Sequence, residues 1–261
     1  EELASALAHT LAFALLGVAF GNIAGFALAL IFHNRSVRMG CAFVRAIHEL
    51  FWALIFLQLF GLSPLTGILA IGIPYAGTIA KVYAEILEEA DPAPLRAVPR
   101  GAGPVSTFLF VRLPDVWAQI RTYSMYRLEC GLRSSAVLGF VGLPTLGFHL
   151  ESAFKEGHYS TASALLILFY VIIATMRLWM RRQLLPLYLV GAALVLPWGI
   201  SINSANIVRF FTQDIVPFPL RADGADMASA LGNWLRMLLV DQAVPGIVAT
   251  LQLTMIALVG T

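Results

Sequence analysis

Long, unbroken apolar runs separated by short polar connections organise this chain, and the apolar residues run continuously instead of alternating with polar ones. A helix that crosses a hydrocarbon core needs about 20 apolar residues. Residues 11–32 satisfy this, with Asn22 as the one strongly polar position. Residues 43–62 form a second candidate, carrying Arg45, His48, Glu49 and Gln58. Residues 64–87 form a third, with Pro74 as a kink point, and 123–141 a fourth, more polar one. The fifth is 161–180, the sixth 184–202, and a seventh begins near Pro245 and is cut off at Thr261. These runs are too long for barrel strands of about 10 residues. The pattern predicts an all-α, polytopic helical membrane protein of about seven transmembrane helices.

Composition agrees. Of 261 residues, 59% are hydrophobic and 12% charged, whereas soluble domains carry about a quarter charged residues. Mean hydropathy is +0.81. Cys41 and Cys130 lie far apart and read as isolated thiols without metal or redox spacing. The sequence starts at Glu1 and stops inside an apolar run, which reads as a piece of a longer protein, and no signal-peptide pattern is present.

The basic residues orient the spans. Arg35 and Arg38 follow the first; Arg96, Arg100, Arg112 and Arg121 follow the third; Arg177, Arg181 and Arg182 follow the fifth. The connection GLSPLTG has no basic residue, and the one after the fourth span has only Lys155. Residues 203–243 hold Arg209, Arg221 and Arg236 against four aspartates. Alternate connections are therefore cytoplasmic, residues 91–114 among them, and the N-terminus faces outward.

That cytoplasmic connection is patterned. Asp91-Pro92 pairs a capping carboxylate with a first-turn proline, and Gly103-Pro104 can open a second helix. Gly101 permits a sharp turn and a close backbone approach, and Pro114 punctuates the start of the fourth span. Two short helices folded against each other are expected. Val105, Phe108, Leu109 and Val111 supply an apolar face, and Arg96, Arg100 and Arg112 the charge. Such an element suits either the lipid headgroup layer or a cytoplasmic partner.

Charge within a span costs about 2.5–3.5 kcal/mol at mid-helix, so it faces a partner or a watery cavity. Arg45 and Glu49, Lys81 and Glu85, and Glu129 and Arg133 are each four apart and can meet on one helix face. They read either as local pairs near the cytoplasmic interface or as part of a path or gate. Arg127 and Arg133 are the residues best suited to meet an anion, because guanidinium binds the oxygens of an oxyanion bidentately. Gly139, Gly142, Pro144 and Gly147 mark a break at the outer end of the fourth span, either a plain turn or a re-entrant scoop. His149 and His158, with Glu151 and Glu156, fit no standard metal template. There is no G-K-[ST] phosphate loop, no G-x-S-x-G and no H-E-x-x-H. No catalytic residue, metal or cofactor is expected, and the chain is not read as an enzyme.

The stretch 95–114 resembles the cytoplasmic signature of permeases of ATP-binding-cassette (ABC) importers: E-A-A, three residues, glycine, nine residues, I-x-L-P. Leu95-Arg96-Ala97 stands in the E-A-A place, Gly101 is the glycine, and Val111-Arg112-Leu113-Pro114 is the ending. Further runs resemble the phosphonate-type branch: RAIHELFWAL at 45–54, with His48 where the family has proline, and GTIAKVYAEILEE at 77–89. Tyr126-Arg127-Leu128-Glu129, Arg133, Val137-Leu138-Gly139 and Val141-Gly142 continue the likeness, whereas LPTLG at 143–147 replaces a glycine-rich family stretch. The resemblance covers residues 5–182.

The resemblance implies a type I ABC importer permease fold in a bacterial inner membrane. It implies partnership with a cytoplasmic ATP-binding subunit, which would bind the ATP, and with a periplasmic or extracellular substrate-binding protein. The residues it implicates in docking are Arg96, Ala97, Arg100, Gly101, Val111, Leu113 and Pro114. The cargo would be a phosphonate or a related phosphorus oxyanion, and no nucleic-acid partner is implied.

Residues 1–182 read as a first permease half lacking its first helix, and 183–261 as the start of a second. TMIALVGT resembles TLAFALLGV at an offset of 243, which pairs Gly17 with Gly260. In this second copy, 203–243 would be an outward segment with a short amphipathic helix over 227–239 before the seventh span. The pairing of halves would be a fusion in one chain or a homodimer. An ATP-independent channel or secondary transporter for a small anion is the alternative, and a non-transport scaffold a third reading.

Overall fold

The computed structural model describes residues 2–99, 101–199, 204–217, 220 and 227–259. Among the described residues every regular element is a helix, and the chain forms two compact units, Glu1–Asn203 and Ser204–Thr261.

At the centre of the first unit α1 (Glu2–Leu30) packs on α4 (Pro64–Glu88). Hydropathy alone does not explain how close they come. Gly17, Gly21 and Gly25 recur every fourth residue along one face of α1 and meet Ile71, Tyr75 and Ile79 of α4. A Cβ at Gly21 would lie 3.0 Å from the Tyr75 Cβ, and one at Gly25 only 2.7 Å from the Ile79 Cγ2. In return Gly67 and Gly72 of α4 leave room for the rings of Phe13 and Phe20. Small residues let helix backbones approach where lipid tails remove any hydrophobic drive for association.

The expected single span 43–62 is two helices. α2 (Arg35–Ala46) and α3 (Glu49–Phe60) meet at a 93° bend. Ile47 and His48 are extended, and the His48 Nδ1 accepts the Leu50 N–H at 3.2 Å, which starts a new helix. Gly61, at φ 65°, ends α3, and Ser63 caps α4 through the Thr66 N–H. Both α2 and α3 pack on α4.

The expected fourth span also changes. After the single turn α5 (Ala93–Arg96), α6 (Pro104–Thr107) passes through a widened π-type turn, Phe108–Arg112, directly into α7 (Leu113–Val137). The helix runs unbroken from Pro104 to Val141. Pro114 therefore does not punctuate it: the widened turn just before it accommodates a residue with no N–H and a ring that would crowd an ordinary α-turn. At its outer end the helix bends by 51° into α8 (Leu146–Lys155), which leads to α9 (Tyr159–Trp179).

Buried Thr10 ties this end together. Its hydroxyl donates to the Ala6 carbonyl at 2.7 Å and accepts the Leu146 N–H at 2.9 Å, capping α8 from another helix. A Thr10→Val change leaves that N–H without a partner. It should cost about 1–3 kcal/mol, read as a lower thermal midpoint of the detergent-solubilised protein.

The expected sixth span is helical only as α10 (Leu185–Val195), which packs on α1. Residues 200–202 lie outside the described residues. In the second unit, α11 (Ser204–Arg209) is followed by a π-type turn, Phe210–Asp214. The expected amphipathic helix and seventh span are one element there: α12 (Met227–Arg236) continues through a widened turn, Met237–Ala243, into α13 (Val244–Val259). Pro245, like Pro114, sits two residues past the widened turn.

Against about seven expected spans, four helices among the described residues are long and apolar enough to cross a membrane. The two bent pairs would bring the number to six. The protein is an all-helical, polytopic membrane protein.

Candidate functional site

Three groups of residues carry the features singled out from the sequence: the loop 91–114, a polar seam on α3, α4 and α7, and the break between α7 and α8.

In the loop, the Asp91 carboxylate accepts the Ala93 N–H at 2.8 Å and starts α5. Arg96 and Ala97 are exposed, and Arg100 lies outside the described residues. α5 packs against the widened turn, so the two short elements do meet, although the second is the foot of α7. Gly101 sits in a turn, closed by the Ala102 N–H donating to the Pro99 carbonyl at 3.0 Å. Its φ is not in the left-handed region, and a Cβ there would have nothing within 4 Å. The chain's own folding does not demand a glycine at this position. Phe108 turns inward against Phe26, with ring centroids 6.5 Å apart, while Val105 and Phe110 are 69% and 78% exposed. Val111 and Leu113 are half-buried, and Pro114 is exposed. The Arg112 Nε is buried without a partner among the described residues.

The polar seam is built on one face of α7. Tyr123, Arg127 and Ser134 recur at helical spacing and meet α4 and α3. The Ser134 hydroxyl donates to the Glu49 Oε1 at 2.6 Å. Because that uses the serine's single proton, the Tyr75 hydroxyl, 3.0 Å away, is the donor to Ser134. The chain Tyr75–Ser134–Glu49 thus joins α4, α7 and the first residue of α3. Two turns further along α4, toward residues 91–114, the Tyr83 hydroxyl donates to the Asn22 Oδ1 and lies 2.7 Å from the Ser124 Oγ.

Two of the three expected helix pairs form: Lys81–Glu85 at 3.2 Å and Arg133–Glu129 at 3.0 Å. Arg45 and Glu49 do not pair. The bend at Ile47 and His48 puts them on different helices, and Glu49 is held by Ser134, with His48 3.8 Å away. The two arginines proposed to meet an anion are placed very differently. Arg133 is exposed and salt-bridged. Arg127 is half-buried, its Nε donates to the Tyr123 hydroxyl at 2.7 Å, and its guanidinium carbon lies 5.6, 5.2 and 5.8 Å from the ring centroids of Tyr75, Tyr123 and Tyr126.

At the outer break, Gly142 takes φ 91°, a left-handed conformation that suits glycine. Gly139 and Gly147 are required for another reason: a Cβ on Gly147 would lie 1.8 Å from the Ala136 carbonyl oxygen, and one on Gly139 2.1 Å from the Phe148 nitrogen. Pro144 lies between them in the turn. Beyond it, Glu151 pairs with Lys155 at 2.6 Å and Glu156 with His158 at 3.4 Å.

The expected polar residues are placed, but the partners that join them across helices escape a one-dimensional reading. Ser134 and Glu49 are 85 positions apart. The glycine series at 17, 21 and 25 was open to detection through its four-residue spacing, a signal that hydropathy does not carry.

No family model matches the chain. Among curated proteins, the phosphite transport system permease protein PtxC of Stutzerimonas stutzeri is 31% identical over 175 residues, 64% of this chain and 63% of that protein. The phosphate-import permease protein PhnE of Mycolicibacterium smegmatis is 32% identical over 180 residues, 65% of this chain and 34% of that protein. The chain thus spans less than two thirds of the length of these relatives. The putative cryptic phosphonate transport system permease protein PhnE2 of Escherichia coli K12 is 31% identical over 107 residues, 41% of this chain and 88% of that protein. Among solved structures, an amino acid ABC transporter crystallised with histidines superposes with a TM-score of 0.59 at 18% identity, covering 72% of this chain and 92% of that one. This likeness establishes the type I ABC importer permease fold expected from the loop signature. With fold and sequence in agreement, the chain belongs to the family of phosphite and phosphonate ABC-transport permease proteins.

Proposed function

We propose that this chain is the membrane-spanning part of an ATP-driven importer that moves a phosphonate or a related phosphorus oxyanion inward. Residues 91–114 dock on a separate cytoplasmic subunit that binds and hydrolyses ATP, and an external binding protein delivers the cargo near the α7–α8 break. The membrane is the bacterial inner membrane.

One observation carries this reading. The loop is the foot of a single helix, Pro104 to Val141, that also bears Arg127 and ends at the outer glycine break. A push on exposed Val105 or Phe110 therefore reaches the polar seam through continuous hydrogen-bonded backbone rather than through a flexible hinge. Open space around Gly101 supports a close approach by a partner's surface.

The second unit belongs to a second permease half under the same reading. The Mycolicibacterium relative, matched over 34% of its length, is long enough to hold two such halves. Gly260, which the repeat pairs with Gly17, lies outside the described residues.

A cysteine at Val105, in the full-length protein with Cys41 and Cys130 replaced by alanine, tests the docking. It should cross-link to the co-expressed ATP-hydrolysing subunit. A cysteine at Tyr170, on α9 and 72% exposed, should not. Equal labelling at both, or at neither, would contradict docking through this loop.

A further inference from the structure

Arg127 is a charged group in the middle of an apolar helix array, and such a charge needs a partner. A structural arginine in this setting pairs with a carboxylate. Here Glu129, two residues on, is engaged by Arg133, and Glu49, which shares the Tyr75–Ser134 chain, is engaged by Ser134. The guanidinium rests instead against the faces of Tyr75, Tyr123 and Tyr126. Aromatic faces stabilise a cation without neutralising it. Its Nε is used by the Tyr123 hydroxyl. Among the described residues, its two terminal nitrogens make no hydrogen bond or ion pair.

The frame around that free edge is fixed. The Tyr75 hydroxyl is anchored to Ser134, which is anchored to Glu49. Tyr123 packs edge-on against Tyr83, with centroids 6.1 Å apart, and Tyr83 is held by Asn22. A planar fork of N–H donors, pre-oriented by stacked rings and lacking an anionic partner, matches two oxygens of one tetrahedral oxyanion. From this, and resting on the importer reading above, we infer that the terminal nitrogens of Arg127, framed by Tyr75, Tyr123 and Tyr126, form an oxyanion-binding point for phosphorus oxyanions on the transport path. Arg133, already neutralised and exposed, does not serve this purpose. Glu49 acts at one remove, as a positioning residue that holds the Tyr75 ring in place.

The test uses the full-length protein, co-reconstituted in vesicles with its ATP-hydrolysing and external binding subunits. Uptake of inorganic phosphate, phosphite and methylphosphonate is measured with and without ATP. R127K keeps the charge but loses the fork, and its uptake of the transported anion should fall at least about tenfold, the effect of losing a charge-assisted hydrogen bond. Co-purification with the ATP-hydrolysing subunit shows that the variant is folded. Tyr123→Phe keeps the ring but frees the Nε. It should raise the half-saturating anion concentration about threefold or more with a smaller change in maximal rate. Wild-type uptake kinetics in folded R127K, or an unchanged half-saturating concentration in Tyr123→Phe, overturns the binding point while leaving the importer intact. Absence of ATP-dependent uptake of all three anions by the wild type overturns the importer reading, and the binding point with it.

Discussion

Gly147→Ala is expected to unfold the outer end of the first unit, although it adds only one methyl group. The added Cβ would lie 1.8 Å from the Ala136 carbonyl oxygen and 2.7 Å from its carbonyl carbon. Both atoms belong to the α7 backbone, so no side-chain rotation relieves the clash. Either α8 moves away from α7 or the last turn of α7 opens. The first alternative pulls the Leu146 N–H off Thr10 and so loosens α1 as well. Overpacking commonly costs about 1–3 kcal/mol, and a backbone-on-backbone collision belongs at or above the upper end. Gly142→Ala offers a graded comparison. There the obstacle is φ 91° with only a Leu62 side-chain carbon at 3.6 Å, so the cost is that of a left-handed alanine, about 1–2 kcal/mol. Thermal midpoints in one detergent should therefore fall in the order wild type, Gly142→Ala, Gly147→Ala. A Gly147→Ala protein that melts with the wild type would contradict the close approach of these two segments.

Gly101→Arg is expected to do the opposite: leave the membrane domain folded and impair its transport. Nothing lies within 4 Å of the position and its backbone is unstrained for an L-residue, so the thermal midpoint should stay within a degree or two of the wild type. Under the proposed docking, the space beside it is where the ATP-hydrolysing subunit approaches. A long cation there overpacks that contact, and ATP-driven uptake should fall by about fivefold or more, as follows from about 1–3 kcal/mol of overpacking. Gly101→Ala, with a single methyl in open space, should keep most of the uptake. If the arginine variant transports at the wild-type rate, the loop is not pressed against a partner at Gly101.

These two glycines show where sequence suffices and where it stops. Both are visible as glycines, but only packing says that Gly147 answers to the chain's own backbone and Gly101 to open space. The spans around 11–32, 64–87 and 161–180 were legible because an apolar run of membrane-crossing length admits few other structures. The 43–62 span misled because its apolar character continues across Ile47 and His48, and the break comes from histidine capping a new helix, which hydropathy does not register. Pro114 misled in the opposite direction. Proline usually ends or starts a helix, but a widened turn immediately before it lets the helix continue. The charged pairs at 81 and 85 and at 129 and 133 were legible because helical spacing alone brings them together. The Arg127 cage was half legible: its neighbours Tyr123 and Tyr126 are local, while Tyr75 comes from another helix.

The central claim is that ATP hydrolysis on a partner is coupled through this chain to movement of a phosphorus oxyanion. Its most direct test is the rate of ATP hydrolysis by the full-length protein reconstituted with the candidate ATP-hydrolysing and external binding subunits. The rate is recorded with and without phosphite, phosphate and a panel of phosphonates. The account predicts that one of these ligands raises the rate, and only when the binding subunit is present. A rate indifferent to every ligand, or a protein that associates with no ATP-hydrolysing subunit, would contradict the account and favour an ATP-independent anion channel or carrier.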